Sequence, residues 1–180
     1  MMKYQASHVG NPVAEELITK IGNKTARVGV VGLGYVGLPL AVEGAVAGYD
    51  VIGFDIQQKR VDMVNQGVNY IGDVVDEELR QVVSHGRLRA TTDYDEIKNL
   101  DIVTICVPTP LDKNKQPDLT YIRNSAHEVA KRLHTGMLVV LESTTYPGTT
   151  EEEVKPILES TGFKCGTDFF LAFSPERVDP

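Results

Sequence analysis

Two hydrophobic patterns alternate along the chain from Arg27 onwards: short unbroken apolar runs, and stretches where apolar residues recur every three or four positions. The runs at 28–31, 51–54, 102–107, 137–141 and 169–173 read as strands covered on both faces, with a brief one at 88–90. Between them, residues 38–47 predict a helix of small residues, closed by Gly48 at the position that favours a left-handed glycine. Helices are expected at 57–66, carrying Val61 and Val64 inward, and at 76–84, with a helical turn or two at 93–98. Asp118 is placed to cap a helix whose Leu119, Ile122, Ala126, Val129, Ala130 and Leu133 share one face, and 149–159 predicts the last helix. Residues 67–75 and the proline-rich 108–117 are loops. Ahead of the regular pattern, 15–21 predicts a short helix, with Asn11 as cap and Pro12 at its first position. Strict alternation of strand and helix implies a mostly parallel, doubly wound α/β sheet with right-handed crossovers and helices on both faces. The expected organisation is an N-terminal extension over 1–26 and one such domain over 27–180.

Composition narrows the function classes. A chain of 180 residues that is 42% apolar can bury one ordinary core. A net charge of −7 argues against a nucleic-acid-binding face. No apolar stretch is long enough to span a membrane, and the first ten residues lack the apolar core of a signal peptide. Cys106 and Cys165 are too few for a disulfide framework, and neither they nor His8, His85, His127 and His134 show metal-ligand spacing, so no metal is expected and a reducing cytoplasm fits. Cys106 sits within a strand run and reads as a small core residue.

Candidate chemistry begins at Gly32-Leu33-Gly34-Tyr35-Val36-Gly37, which follows a strand directly and opens a helix. In that context Gly32 permits a tight turn, Gly34 lets backbone approach a pyrophosphate, and Gly37 allows close helix–strand packing. The free amides at the helix start then face phosphate oxygens. Asp55 ends the second strand, 21 residues after Gly34. A carboxylate there accepts hydrogen bonds from both ribose hydroxyls of an adenosine and repels an extra 2′-phosphate, which favours NAD over NADP. It also suits the cap of the following helix, and both roles can coexist. Arg60 either pairs with Asp55, flanks the adenosine or is an ordinary solvated residue.

Three polar, proline-stiffened segments begin at the carboxyl ends of later strands: Val107-Pro108-Thr109-Pro110, Ser143-Thr144-Thr145-Tyr146-Pro147 and Ser174-Pro175-Glu176. Ligands of open α/β sheets settle outside those ends. Glu176 is the carboxylate placed for general-base work, against the plainer reading of an exposed loop acid. Glu142 reads as a site residue or as a strand-end charge.

Four motifs now stand together: Val-Gly-Leu-Gly-Tyr-Val-Gly-Leu-Pro-Leu at 31–40, Cys-Val-Pro-Thr-Pro at 106–110, Glu-Ser-Thr-Thr-Tyr-Pro-Gly-Thr at 142–149 and Ser-Pro-Glu-Arg-Val-Asp-Pro at 174–180. From Arg27 to Pro180 the chain resembles the N-terminal domain of the nucleotide-sugar 6-dehydrogenases, the UDP-glucose and UDP-N-acetylhexosamine dehydrogenases. The resemblance implies oxidation of the C6 alcohol of a UDP-hexose to the uronate with two NAD reduced in succession. A cysteine holds the aldehyde-level intermediate, and a thioester is then hydrolysed. It further implies that Gly32, Gly34, Tyr35, Val36 and Gly37 cradle the pyrophosphate. Asp55 and Arg60 hold the ribose side, while Val107, Pro108, Thr109, Ser143 and Thr144 line the cofactor groove. Thr144 would also position a water or sugar oxygen, and Glu176 would assist proton transfer. The choice of Thr144 over Thr145 stays open, because the segment before Pro147 is longer than in the UDP-glucose branch.

The family's cysteine, lysine and asparagine, its central dimerising helix and its UDP-binding domain are expected beyond Pro180. This chain alone is therefore expected to bind NAD without turnover, and the full-length enzyme to be a homodimer. A second glutamate that some members carry four residues after the Ser-Pro-Glu acid is Pro180 here. Glu176-Arg177 resembles the N-acetylhexosamine branch, which points to UDP-N-acetylglucosamine or a relative as substrate. Two alternatives remain on the residues alone: another NAD oxidoreductase of the β-hydroxyacid type, and a non-catalytic nucleotide-sensing module.

Overall fold

The apolar run after Arg27 must be covered on both faces, and it lies in the middle of the sheet. The structure, a computed structural model, describes residues 10–111, 113 and 117–175. Its strands are β1 (Arg27–Val31), β2 (Asp50–Phe54), β3 (Leu88–Thr91), β4 (Ile102–Ile105), β5 (Leu138–Leu141) and β6 (Phe170–Phe173). Its α-helices are α1 (Pro12–Gly22), α2 (Gly37–Val46), α3 (Gln58–Asn65), α4 (Asp76–Ser84), α5 (Thr120–Ala130) and α6 (Lys155–Glu159). The strands pair in the order β3-β2-β1-β4-β5-β6, and every pairing is parallel. The expected doubly wound α/β sheet is present.

Successive side chains of a strand point to opposite faces, so β1 feeds two cores. Val30 joins Leu33, Leu38, Val42, Val61 and Leu79, from the α2–α4 side. Val31 joins Ile105, Ile122, Val129, Val139 and Leu158, from the α5–α6 side. Strand order reverses between β1 and β4, and in open α/β sheets the ligand crevice lies above such a seam, at the carboxyl ends of the strands.

Helix α1 crosses the opposite rim. The Asn11 side chain accepts from the amides of Val13 and Ala14, which caps the helix as expected. Its Nδ2 donates to the carbonyls of Gly166 and Thr167, just ahead of β6. Lys20 Nζ lies 2.9 Å from Asp101, whose other oxygen accepts the Arg27 amide at 2.8 Å. The Tyr49 hydroxyl donates to the Ile21 carbonyl. Asp101, Arg27 and Tyr49 all stand at or before strand starts, so the helix ties the amino ends of β1, β2 and β4 together.

Three elements depart from expectation. Helix α5 covers only Thr120–Ala130, so Leu119 and Leu133 flank it, and the Asp118 side chain accepts the Thr120 amide at 2.9 Å from one residue before the cap position. Strand β4 ends at Ile105 instead of Val107. The Cys106 amide still pairs with Val31, but the chain then leaves the sheet beside Gly32, and Pro108 has no amide to continue the ladder. The 149–159 helix is a widened π turn over Thr150–Val154 followed by α6. Pro156 has no amide for the Glu152 carbonyl, and its ring would strike that carbonyl in a regular α-helix; the wider turn relieves the clash. The 93–98 segment is a 3₁₀ helix over Tyr94–Asn99, capped by Asp93.

Candidate functional site

The loop after β1 is as tight as its glycines allow. Gly32 has φ +94°, and a Cβ there would sit 2.5 Å from the Cys106 carbonyl oxygen. A Cβ on Gly37 would lie 1.7 Å from the Gly32 oxygen, so only glycine lets α2 start this close to the turn. A Cβ on Gly34 would meet nothing within 4 Å, so the loop is open on that side. Helix α2 takes its first bonds at Leu38, which donates to Gly34, and at Leu40, which donates to Val36. The amides of Gly34, Tyr35, Val36 and Gly37 donate to no described residue. Unpaired amides at the positive end of a ten-residue helix, beside a glycine with free space, fit the pyrophosphate of a dinucleotide.

Leu33, between the first two glycines, is wholly buried and fixes the loop to the sheet. Gly53 in β2 makes room for it, since a Cβ there would lie 2.7 Å from a Leu33 methyl. A glycine inside a strand signals such close approach, and that signal was available in the sequence.

Asp55 is 4% exposed and accepts three hydrogen bonds. Its Oδ2 takes the Leu33 amide at 3.0 Å and Arg60 Nη1 at 3.2 Å, and its Oδ1 takes the Gln57 amide at 2.9 Å. The capping bond and the Arg60 pairing therefore both exist. A carboxylate offers about four lone-pair positions, so a site remains on Oδ1 for a ribose hydroxyl. The exposed Ile56 side chain stands next to it.

The rim loops brace one another. The Ser143 hydroxyl is buried and donates to the Val107 carbonyl at 2.9 Å, and the Thr109 hydroxyl donates to the Thr144 carbonyl at 2.5 Å. Val107 packs beside Gly32, while Pro108, Thr144 and Tyr35 are exposed on the same rim. The structure thus gathers Gly32, Gly34, Tyr35, Val36, Gly37, Asp55, Arg60, Val107, Pro108, Thr109, Ser143 and Thr144 at the carboxyl ends of β1, β2, β4 and β5. Glu176 lies outside the described residues. Cys106 is buried beneath the loop, and burial pushes the Cys165 thiol up. Cys165 bridges to Phe169, ahead of β6, on the rim away from the crevice. Among the described residues no cluster of three or more His, Cys, Asp or Glu side chains is placed to hold a metal.

Two tyrosines that the sequence did not mark flank this site. Tyr70 donates its hydroxyl to the Leu33 carbonyl at 2.8 Å, and Tyr94 packs against Phe54, with ring centroids 5.5 Å apart. Burial, and then the charge of Asp55, push both phenols up to about 12. A folded-state value above the ordinary 10.0 means that their stabilisation is fully present below pH 10 and is lost as pH rises through about 12. In a spectrophotometric titration two tyrosines should ionise together with unfolding, well above 10. Ionisation of both near 10 with the fold intact would contradict this.

Comparison with known proteins matches residues 26–180 to the model for the UDP-glucose/GDP-mannose dehydrogenase family, NAD binding domain. A UDP-N-acetyl-D-glucosamine 6-dehydrogenase of Pseudomonas aeruginosa is 42% identical over 158 residues, covering 87% of this chain and 36% of that protein. A GDP-mannose 6-dehydrogenase of Pseudomonas savastanoi pv. phaseolicola is 41% identical over 156 residues, 83% of this chain and 36% of that one. The crystal structure of an NDP-N-acetyl-D-galactosaminuronic acid dehydrogenase from Methanosarcina mazei Go1 superposes with a TM-score of 0.83 at 39% identity, over 92% of this chain and 37% of that one. The chain thus spans little more than a third of the length of these relatives, and relatives named for different sugars match it almost equally.

Proposed function

The chain belongs to the UDP-glucose/GDP-mannose dehydrogenase family, with residues 26–180 forming its NAD-binding domain, and from that premise we propose that it serves oxidation of a nucleotide-sugar C6 alcohol to the uronate. What carries this reading is the meeting, at one crevice, of the unpaired amides of residues 34–37 with the Asp55 carboxylate. NAD bound there supplies the hydride acceptor for two successive oxidations.

The chain's own residues do the holding. The amides of Gly34 to Gly37 take the pyrophosphate. Asp55, with Arg60 paired beside it, would hold the adenosine ribose side. Val107, Pro108, Thr109, Ser143 and Thr144 shape the groove. Because Ser143 is buried and bonded to Val107, it acts by setting the loop. Thr144, exposed at the rim, positions a water or sugar oxygen, and Glu176 assists proton transfer. Residues 1–26 precede the domain as an extension, and its described helix α1 supports the strand starts from below.

The Glu176-Arg177 sequence favours a UDP-N-acetylhexosamine as substrate. A cytoplasmic setting accords with Cys106 and Cys165 not being joined in a disulfide, and a homodimeric full-length enzyme accords with the family resemblance. Among the described residues no helix is long and apolar enough to cross a membrane.

Calorimetry with NAD should give a one-to-one complex with this chain. Incubation with NAD and UDP-sugars should give no sustained NADH, because Cys106 is buried and Cys165 lies on the far rim. Absence of NAD binding would refute the cofactor assignment, and sustained turnover would refute inactivity. In the full-length protein UDP-N-acetylglucosamine should outpace UDP-glucose and GDP-mannose; the reverse order would overturn the choice of sugar.

A further inference from the structure

Resting on the cofactor reading above, we propose that Tyr70 is a positioning residue for pyrophosphate binding: by holding the Leu33 carbonyl, it aims the Gly34 amide into the crevice. The two peptide groups around Leu33 are gripped from opposite directions. Asp55 accepts the Leu33 amide at 3.0 Å, which fixes the Gly32–Leu33 unit. The Tyr70 hydroxyl donates to the Leu33 carbonyl at 2.8 Å, which fixes the Leu33–Gly34 unit.

In a planar trans amide the C=O and N–H point in opposite directions. Holding the carbonyl on the Tyr70 side therefore turns the Gly34 N–H the other way, where it has no partner among the described residues. Gly34 has the open side of the loop and, as a glycine, the least resistance to rotation, so this unit needs an external constraint most. A hydrogen bond accepted at a carbonyl also polarises its amide, which strengthens the N–H as a donor to phosphate.

Tyr70 is itself held firmly. The Asn69 side chain beside it donates to the Val74 carbonyl and to Asp76, and accepts the Ile71 amide at 2.8 Å. Ile71 and Val74 are buried, and the Tyr70 ring packs on the α2–α4 core. The loop between α3 and α4 thus carries the phenol on a rigid mount, as a group that preorganises a binding site requires. Burial keeps the phenol protonated, and so a donor, to high pH.

The test compares ligands with and without phosphates on the same variant. Binding of NAD, ADP and adenosine to wild type and Tyr70→Phe is measured by calorimetry or ligand-observed NMR, alongside thermal midpoints. The expected result is a loss of roughly five- to tenfold for NAD and ADP with adenosine unchanged, the scale of one hydrogen bond. Equal losses for ADP and adenosine, or no loss for ADP, would overturn the proposal while leaving the cofactor site standing. Failure of wild type to bind NAD or ADP would remove both. Collapse of the fold in Tyr70→Phe and in Tyr70→Met would also overturn it, because the role of the side chain would then be structural.

Discussion

Gly37→Ala should all but abolish NAD binding and lower the thermal midpoint by roughly 5–10 °C, the effect of ~2–3 kcal/mol of overpacking on a domain of this size. The added methyl would stand 1.7 Å from the Gly32 carbonyl oxygen and 2.9 Å from its carbon. Both are backbone atoms, so no rotamer change relieves the contact. Either α2 retreats or the Gly32 turn opens, and each displaces the amides that face the crevice. Gly34→Ala provides the contrast. Its methyl meets nothing within 4 Å, so the midpoint should hold while NAD affinity falls, because the methyl occupies space the pyrophosphate needs. Calorimetry and thermal melts on the pair separate packing from ligand contact. A Gly37→Ala protein that binds NAD like wild type would mean that the amides are not the phosphate site.

Asp55→Ala should weaken NAD by roughly 10- to 100-fold, consistent with losing charge-assisted hydrogen bonds, and should move the preference towards NADP. The carboxylate holds the Leu33 amide, the Gln57 amide and Arg60 together. Its removal leaves a buried Leu33 N–H without its acceptor, at a cost of ~1–3 kcal/mol. It also releases the Arg60 guanidinium, already 37% exposed, to meet a 2′-phosphate. Competition between NAD and NADP on both proteins measures the change in ratio. An unchanged ratio would show that Arg60 cannot reach the ribose side.

Most of the architecture could be read from the residues because its causes are local. The run after Arg27 is apolar on both faces, which demands a central strand, and Asp76–Ser84 matches its expected helix at both ends. Asn11 and Pro12 start α1 as their chemistry requires. Where the reading slipped, a neighbour decided. The end of β4 is set by the Gly32 turn pressing on Cys106, and the π turn before α6 by Pro156. The glycines, Asp55 and the rim threonines were legible as candidates, because the spacing of the glycines and Asp55 and the strand-end position of the threonines are visible without the fold. The contribution of Tyr70 was not, because its partner lies 37 residues away and the intervening segment has no periodicity to reveal it. Ser143 was assigned to the groove, but the braces that tie Ser143 to Val107 and Thr109 to Thr144 arise only once β4 and β5 are neighbours.

Asp101 stands at the foot of the seam between β1 and β4. Its own amide donates to the Arg27 carbonyl, its carboxylate takes the Arg27 amide and the Lys20 ammonium, and α1 runs on to the start of β6. The two halves of the sheet are thus buckled at the floor, on the side away from the ligand. A dinucleotide arriving above meets strands whose far ends are already tied, so little of the sheet's backbone is left to order on docking. Its heat signature should be that of rigid recognition, dominated by hydrogen bonding and by the release of water from the crevice.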